Sequence, residues 1–225
     1  PLRSCRVDPY GIDTILIGKQ IRFVNQVSIR YIKTMSNDIL RILELAERLG
    51  NLAEAHLKSS VAAHGLQPVH ARILLYLASA NRYSNTPQAV TDYLGLTKGT
   101  VSQSLILLES KGLLQRGADE QDGRVVRLSL TESGNSVVLT IEHAGAERFR
   151  NAARGLPDGV LHPLTDMLRR LQVAEGRKSF GVCRTCRHHL TEKHGQWRCG
   201  LTGEALSAAD RERICREHEA PAASA

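Results

Sequence analysis

From Ser36 onward, apolar residues return every three or four positions, and this spacing predicts a long amphipathic helix. Ile39, Leu40, Leu43, Leu45, Leu49 and Leu52 lie on its wide stripe, Ser36-Asn37-Asp38 forms a start cluster, and the pattern fades near Gly65. A second helix is expected from Pro68, a residue suited to a first turn, with Val69, Ile73, Leu74 and Leu77 inward and an end near Ser79. Asn81 to Asn85 reads as a polar loop. Thr86-Pro87 caps and opens a short helix to Leu94 that Gly95 ends. Thr97 then caps a helix over 97–111, in which Val101, Leu105 and Leu108 face inward and Gly112 stops the chain.

After Gly112 the period changes to two. Val126, Leu128 and Leu130 alternate with Val125, Arg127 and Ser129, as in a half-buried strand. With the run from Leu114 and the Asp/Gly-rich turn Asp119 to Arg124, this makes a hairpin over 114–130. Beyond Thr131, Val137, Val138, Ile141 and Phe149 restore the helical period as far as Gly155. Pro157 is expected to start a further helix with Leu161, Leu164, Leu168 and Leu171 on one face. The fold class is therefore mainly α with a small β-wing.

Two short helices joined through a glycine turn, the second bearing small polar residues on its first turns, form a helix-turn-helix. Thr97, Lys98, Thr100, Ser102 and Gln103 occupy the half of helix 97–111 that enters a major groove, where a glutamine pairs with adenine and a lysine reaches guanine or phosphate. A hairpin directly after such a helix is a wing. Arg124 at its tip suits the narrow, electronegative minor groove, and Arg127 is a second expected DNA contact.

These residues resemble the MarR family of bacterial winged-helix transcriptional regulators over about residues 36–173. The family's wing often reads Asp-x-Arg-Asp-x-Arg; Asp119, Asp122 and Arg124 match it, Gln121 replaces the first arginine, and Gly123 loosens the tip. The resemblance implies that Asp119 and Asp122 brace the wing while Arg124 enters the minor groove. It also implies a homodimer formed through the first and last helices, in line with apolar faces wider than a winged helix needs. Such a dimer places recognition helices about 34 Å apart on a near-palindromic operator in double-stranded DNA. A small-molecule effector held between the dimer helices and the winged domain is a further expectation.

Composition refines this picture at both ends. The net charge of +7 divides into +4 over residues 1–34 (six Lys/Arg, two Asp/Glu), zero over 35–176 (fifteen of each) and +3 over 177–225 (nine and six). DNA binding therefore rests on local placement rather than bulk charge. Residues 1–34 show no sustained amphipathic period, and Met35 stands just before the start cluster; the expectation is an initiator at Met35 and a non-native or disordered extension before it. The domain-sized unit is 35–176, followed by a tail over 177–219 and a disordered end over 220–225. No apolar run approaches the ~18 residues of a membrane span, and no secretory signal is present, so a cytoplasmic protein is expected.

The tail spaces Cys183, Cys186, Cys199 and Cys215 as C-x2-C-x12-C-x15-C. In a reducing compartment a lasting disulfide framework is disfavoured. Two thiolates two residues apart grip one metal, two more complete a tetrahedral or cluster-holding set, and metal compensates for a small apolar core. The expected cofactor is zinc or an iron–sulfur cluster, the single close pair fitting either. Cysteine-rich extensions of this kind occur on some MarR-type regulators, ending as Cys215-Arg-Glu-His-Glu219 does here. Tail histidines are expected to be solvated, with His218 a candidate hydrogen-bond donor to a sulfur. Two other readings remain open: a zinc-stabilised protein-interaction module, and a CxxC thiol–disulfide oxidoreductase, which lacks the usual βαβ setting. With no Walker loop, dinucleotide fingerprint or HExxH motif, no catalytic residue is expected.

Overall fold

The computed structural model describes residues 21–120, 122–157 and 159–221. Gln121, Cys5 and the first twenty positions of the expected extension lie outside the described residues.

Helix α1 spans Ile21–Val61, starting well before the expected cluster at Ser36. Residues 21–49 contain neither proline nor glycine, so Ser36-Asn37-Asp38 is carried as helix interior rather than as a cap. Contacts divide the chain into two units between Ala53 and Glu54. Within the first, Leu40, Leu43, Leu49 and Leu52 are all exposed.

The second unit is built around α2 (Pro68–Ser79), α3 (Pro87–Leu94) and α4 (Lys98–Ser110), close to the sequence boundaries. Caps explain the agreement. Thr86 Oγ1 accepts from the Ala89 N–H at 3.2 Å and Thr97 Oγ1 from the Thr100 N–H at 3.1 Å, while Gly95 takes the left-handed conformation that ends α3. Ile73, Leu74, Val90, Val101, Leu105 and Leu108 make the buried centre.

Strands β1 (Leu114–Ala118) and β2 (Val126–Leu130) pair antiparallel from Leu114↔Leu130 to Ala118↔Val126, forming the wing. Helix α5 (Glu132–Ala152) follows at once, capped by Thr131. A Cβ at Gly134 would overlap the Leu113 carbonyl, so this close approach of helix to wing requires glycine. Helix α6 covers Leu161–Ala174 rather than starting at Pro157, because Gly159 adopts a left-handed φ of 85° before it.

The tail folds as short pieces: β3 (Gly181–Val182) pairs with β7 (Ile214–Cys215), and β4 (His189–Thr191), β5 (Trp197–Cys199) and β6 (Ala205–Leu206) form a second small sheet. A five-residue helix, α7 (Ala208–Glu212), carries a Ser207–Asp210 capping box. The tail lies in the same unit as the winged helix and shares its core. Phe180 is buried there, its ring edge-on to Tyr93 at 5.1 Å and to Tyr76 at 6.2 Å. Leu190 and Leu201 stay exposed, so the tail's apolar anchorage comes largely from outside its own sheets.

Candidate nucleic-acid interface and cysteine site

Lys98, Thr100, Ser102 and Gln103 are all exposed on the outer face of α4, while Val101, Ser104, Leu105 and Leu108 of the same helix are buried. The helical period alone produces this division. Thr97 and Thr100 are partly engaged locally: the two hydroxyls lie 2.9 Å apart and Thr97 Oγ1 caps the helix. Lys98, Ser102 and Gln103 are thus the side chains best placed to reach outward.

On the wing, Arg124 is 92% exposed and its guanidinium is held by Asp122 at 3.0 Å. That contact, with the Arg124 N–H also donating to Asp122 Oδ1, holds the Asp122 carboxyl below its ordinary pKa. Asp119 accepts from the Asp122 N–H at 3.0 Å and from Arg127 Nε at 2.6 Å. Arg127, expected as a second DNA contact, is engaged within the protein. Its side chain is only 27% exposed and is committed to Asp119, the Arg82 carbonyl and Asn85, because the strand register turns it toward the α2–α3 loop.

The four tail cysteines carry free thiols and line one cavity of about 80 Å³, together with Asn81, His188 and Glu217. Cys183 and Cys186 flank a tight turn in which the Cys186 N–H donates to the Cys183 carbonyl at 3.0 Å. Cys199 ends β5 opposite His189, and Cys215 ends β7 opposite Gly181. Burial pushes the Cys183 thiol up to about 11, and the other three cysteines add to the rise. Burial likewise raises Cys215, offset in part by the Asn81 amide and the Glu217 N–H, which favour its thiolate. Cys186 Sγ accepts from the Glu219 N–H at 3.4 Å. Four thiols around one void are a soft donor set of the kind that suits a thiophilic cation once the protons are lost. Among the described residues no group of three or more His, Cys, Asp or Glu has the geometry to hold a metal ion as it stands.

The histidine expectations need correction. His218 is buried, not solvated, and its Nε2 lies 2.9 Å from Thr185 Oγ1 rather than on a sulfur. Its Nδ1 has no partner among the described residues. His188 lines the cysteine cavity and pairs with Glu219 at 3.4 Å, and His189 meets Arg211 at 3.1 Å. The side chain of His194 lies outside the described residues.

Sequence reasoning missed the loop 81–85. Asn81 and Ser84 are 1% and 0% exposed, and the partners of Ser84 and Arg82 include Arg216 and Ala205, more than 120 residues away. Only the polar composition of the loop was visible locally.

Residues 64–125 match the model of the MarR family. Over this segment the chain is similar to the MarR family. The match covers α2 to the wing tip and stops well short of the cysteines. Solved structures agree in fold. The chain is similar to the transcriptional regulator PA3341 (26% identity, 59% of this chain and 97% of that one, TM-score 0.52). It is also similar to BldR from Sulfolobus solfataricus (17% identity, 59% and 96%, TM-score 0.51) and to a MarR family regulator from Silicibacter pomeroyi (21% identity, 58% and 86%, TM-score 0.50). No curated protein matches the chain. Among the described residues no helix is long and apolar enough to cross a membrane.

Proposed function

We propose that the chain is a DNA-binding transcriptional regulator of the MarR type whose tail carries a thiolate-held metal centre, zinc or iron–sulfur. The observation that carries the DNA-binding reading is the polar face of α4, Lys98, Ser102 and Gln103, followed directly by a wing with Arg124 at its tip. Helix side chains read base edges in the major groove, and the arginine serves the minor groove. The MarR-type fold supports this reading, as does PA3341, itself described as a transcriptional regulator. A homodimer is supported by the exposed leucines of α1 and of α6, among them Leu161, Leu164, Leu168 and Leu171. The metal reading rests on the convergence of Cys183, Cys186, Cys199 and Cys215 on one cavity. When bound, such a metal supplies cross-linking of the tail and, for an iron–sulfur cluster, redox sensitivity.

Two measurements on protein purified without oxygen test these readings. Enrichment of duplexes from a random pool should yield near-palindromes with half-sites one turn apart. Gln103→Ala should relax preference at one base by about 1–3 kcal/mol, and Arg124→Ala should lower the salt slope by about one unit. A pool that emerges unenriched refutes DNA reading. Metal analysis with a visible spectrum tests the tail: iron with sulfide and a brown colour identify a cluster, one zinc per chain a staple, and neither metal overturns the metal reading.

A further inference from the structure

The buried loop between α2 and α3 is held from two directions. From the tail, the Ile214 carbonyl accepts from the Asn81 N–H at 2.9 Å and the Arg216 N–H donates to Ser84 Oγ at 2.7 Å. These two residues flank Cys215, which lines the cysteine cavity together with Asn81. Arg82 reaches the Ala205 carbonyl at 2.7 Å and Glu204 at 3.2 Å. From the wing, Arg127 Nη1 donates to the Arg82 carbonyl at 2.7 Å and to Asn85 Oδ1 at 3.2 Å. The Leu128 N–H donates to the Asn85 carbonyl at 2.8 Å, and Asn85 Nδ2 returns a bond to the Leu128 carbonyl at 3.1 Å.

A loop whose inner side chains are fully buried and whose backbone is bonded at both ends transmits displacement instead of absorbing it. We infer that Asn81–Asn85 is the mechanical link by which the state of the cysteine site sets the position of the wing, with Arg127 as the positioning residue at the wing end. The inference rests on the metal reading for its natural trigger. The short path is Cys215 to Asn81 and Ser84, then to Arg82 and Asn85, then through Arg127 to Asp119, which also orders the wing turn through Asp122. A tail whose thiols are no longer held together loosens β7, releases the loop and frees the wing from its docked position. Arg124 then no longer arrives at the minor groove in register with α4.

Hydrogen exchange on the full chain reads this without needing the operator. The chain is compared as purified without oxygen and after treatment with EDTA (with ferricyanide where iron is present), alongside Cys199→Ser, which disturbs the cavity from β5 whatever the site holds. Peptides covering 181–219, 81–85 and 114–130 should all exchange faster, by roughly fivefold, while α2 over 68–79 stays protected. In Arg127→Lys, which loses the guanidinium fork, the wing should already exchange fast and should stop responding to stripping, although the tail still responds. A tail that loosens while the wing stays protected overturns the inference, as does a wing that responds equally in Arg127→Lys. If the purified chain holds no metal, the metal reading fails separately, and Cys199→Ser alone decides the link: no change at the wing overturns it.

Discussion

The winged helix and the tail sit in one compact unit but are held by different forces. Between α2 and β2 the interior is almost wholly aliphatic, with Leu74, Leu105, Leu108 and Leu128 shut off from solvent. Among the described residues the tail has five strands and one α-helix of two to five residues, four thiols, and a surface laced by ion pairs such as Arg184–Glu212 at 2.8 Å and Lys178–Glu217 at 2.7 Å. Exposed pairs of that kind contribute little, typically up to about 1 kcal/mol each. The first region is thus stable by burial, whereas the second depends on Phe180 and on polar bonds to the α2–α3 loop. The tail thus leans on the winged helix for its anchorage.

The sharpest way to break the comparison is at the seam. Phe180→Ala removes the tail's aromatic anchor from its edge-on contact with the paired Tyr76 and Tyr93 rings and should destabilise the whole unit by roughly 3–5 kcal/mol in urea unfolding. A loss confined to the tail, with the winged helix untouched, would show that the two do not share a core. Arg216→Ala deletes contacts with Asp92 at 2.8 and 2.9 Å, both partners about three-quarters buried, and should cost about 1–3 kcal/mol by the same assay. Replacing both partners with methionine should restore much of it if packing rather than charge holds that contact. Thr97→Ala removes the α4 cap and should cost about 1 kcal/mol while leaving the tail's exchange unchanged.

The smallest effect concerns pH. Burial lowers the pKa of His70, His189 and His218, with Lys111, Arg211 and Arg169 respectively adding to the shift. Because the folded state prefers these rings neutral, the unfolded chain binds protons first. Their contribution is complete above the ordinary value of about 6.5 and is lost as pH falls through the lowered folded values. Urea midpoints of metal-stripped chain should therefore fall between about pH 7 and pH 5, and His218→Asn should flatten that slope. A slope unchanged by this substitution would place the acid sensitivity at other groups.

Much of the winged helix was legible because its instructions are local. Thr86, Gly95, Thr97, Gly112 and Thr131 mark element ends through bonds within a few residues, and the apolar period names the inward face of α4. The start of α1 was not legible, since polar residues that resemble a cap also fit a helix interior when no breaker is near. The intramolecular partners of Arg127 were not legible for a different reason. The alternation along β2 holds at Leu128, which is buried, but Val126 is exposed and Arg127 is partly covered, because the α2–α3 loop docks beside the strand.

By itself, then, the sequence determined the order and kind of the elements, the outward face of α4 and the spacing of four cysteines, soft donors by chemical type. Only the tertiary structure decided that Cys215 and Asn81 line one cavity, that Ser84 Oγ accepts from the Arg216 N–H, and that Arg127 bonds to the loop. Caps and periodicity act over one turn of chain and leave their mark in neighbouring residues. Contacts between positions 40 to 130 residues apart leave none, because any polar loop can satisfy its bonds with water until another segment displaces it.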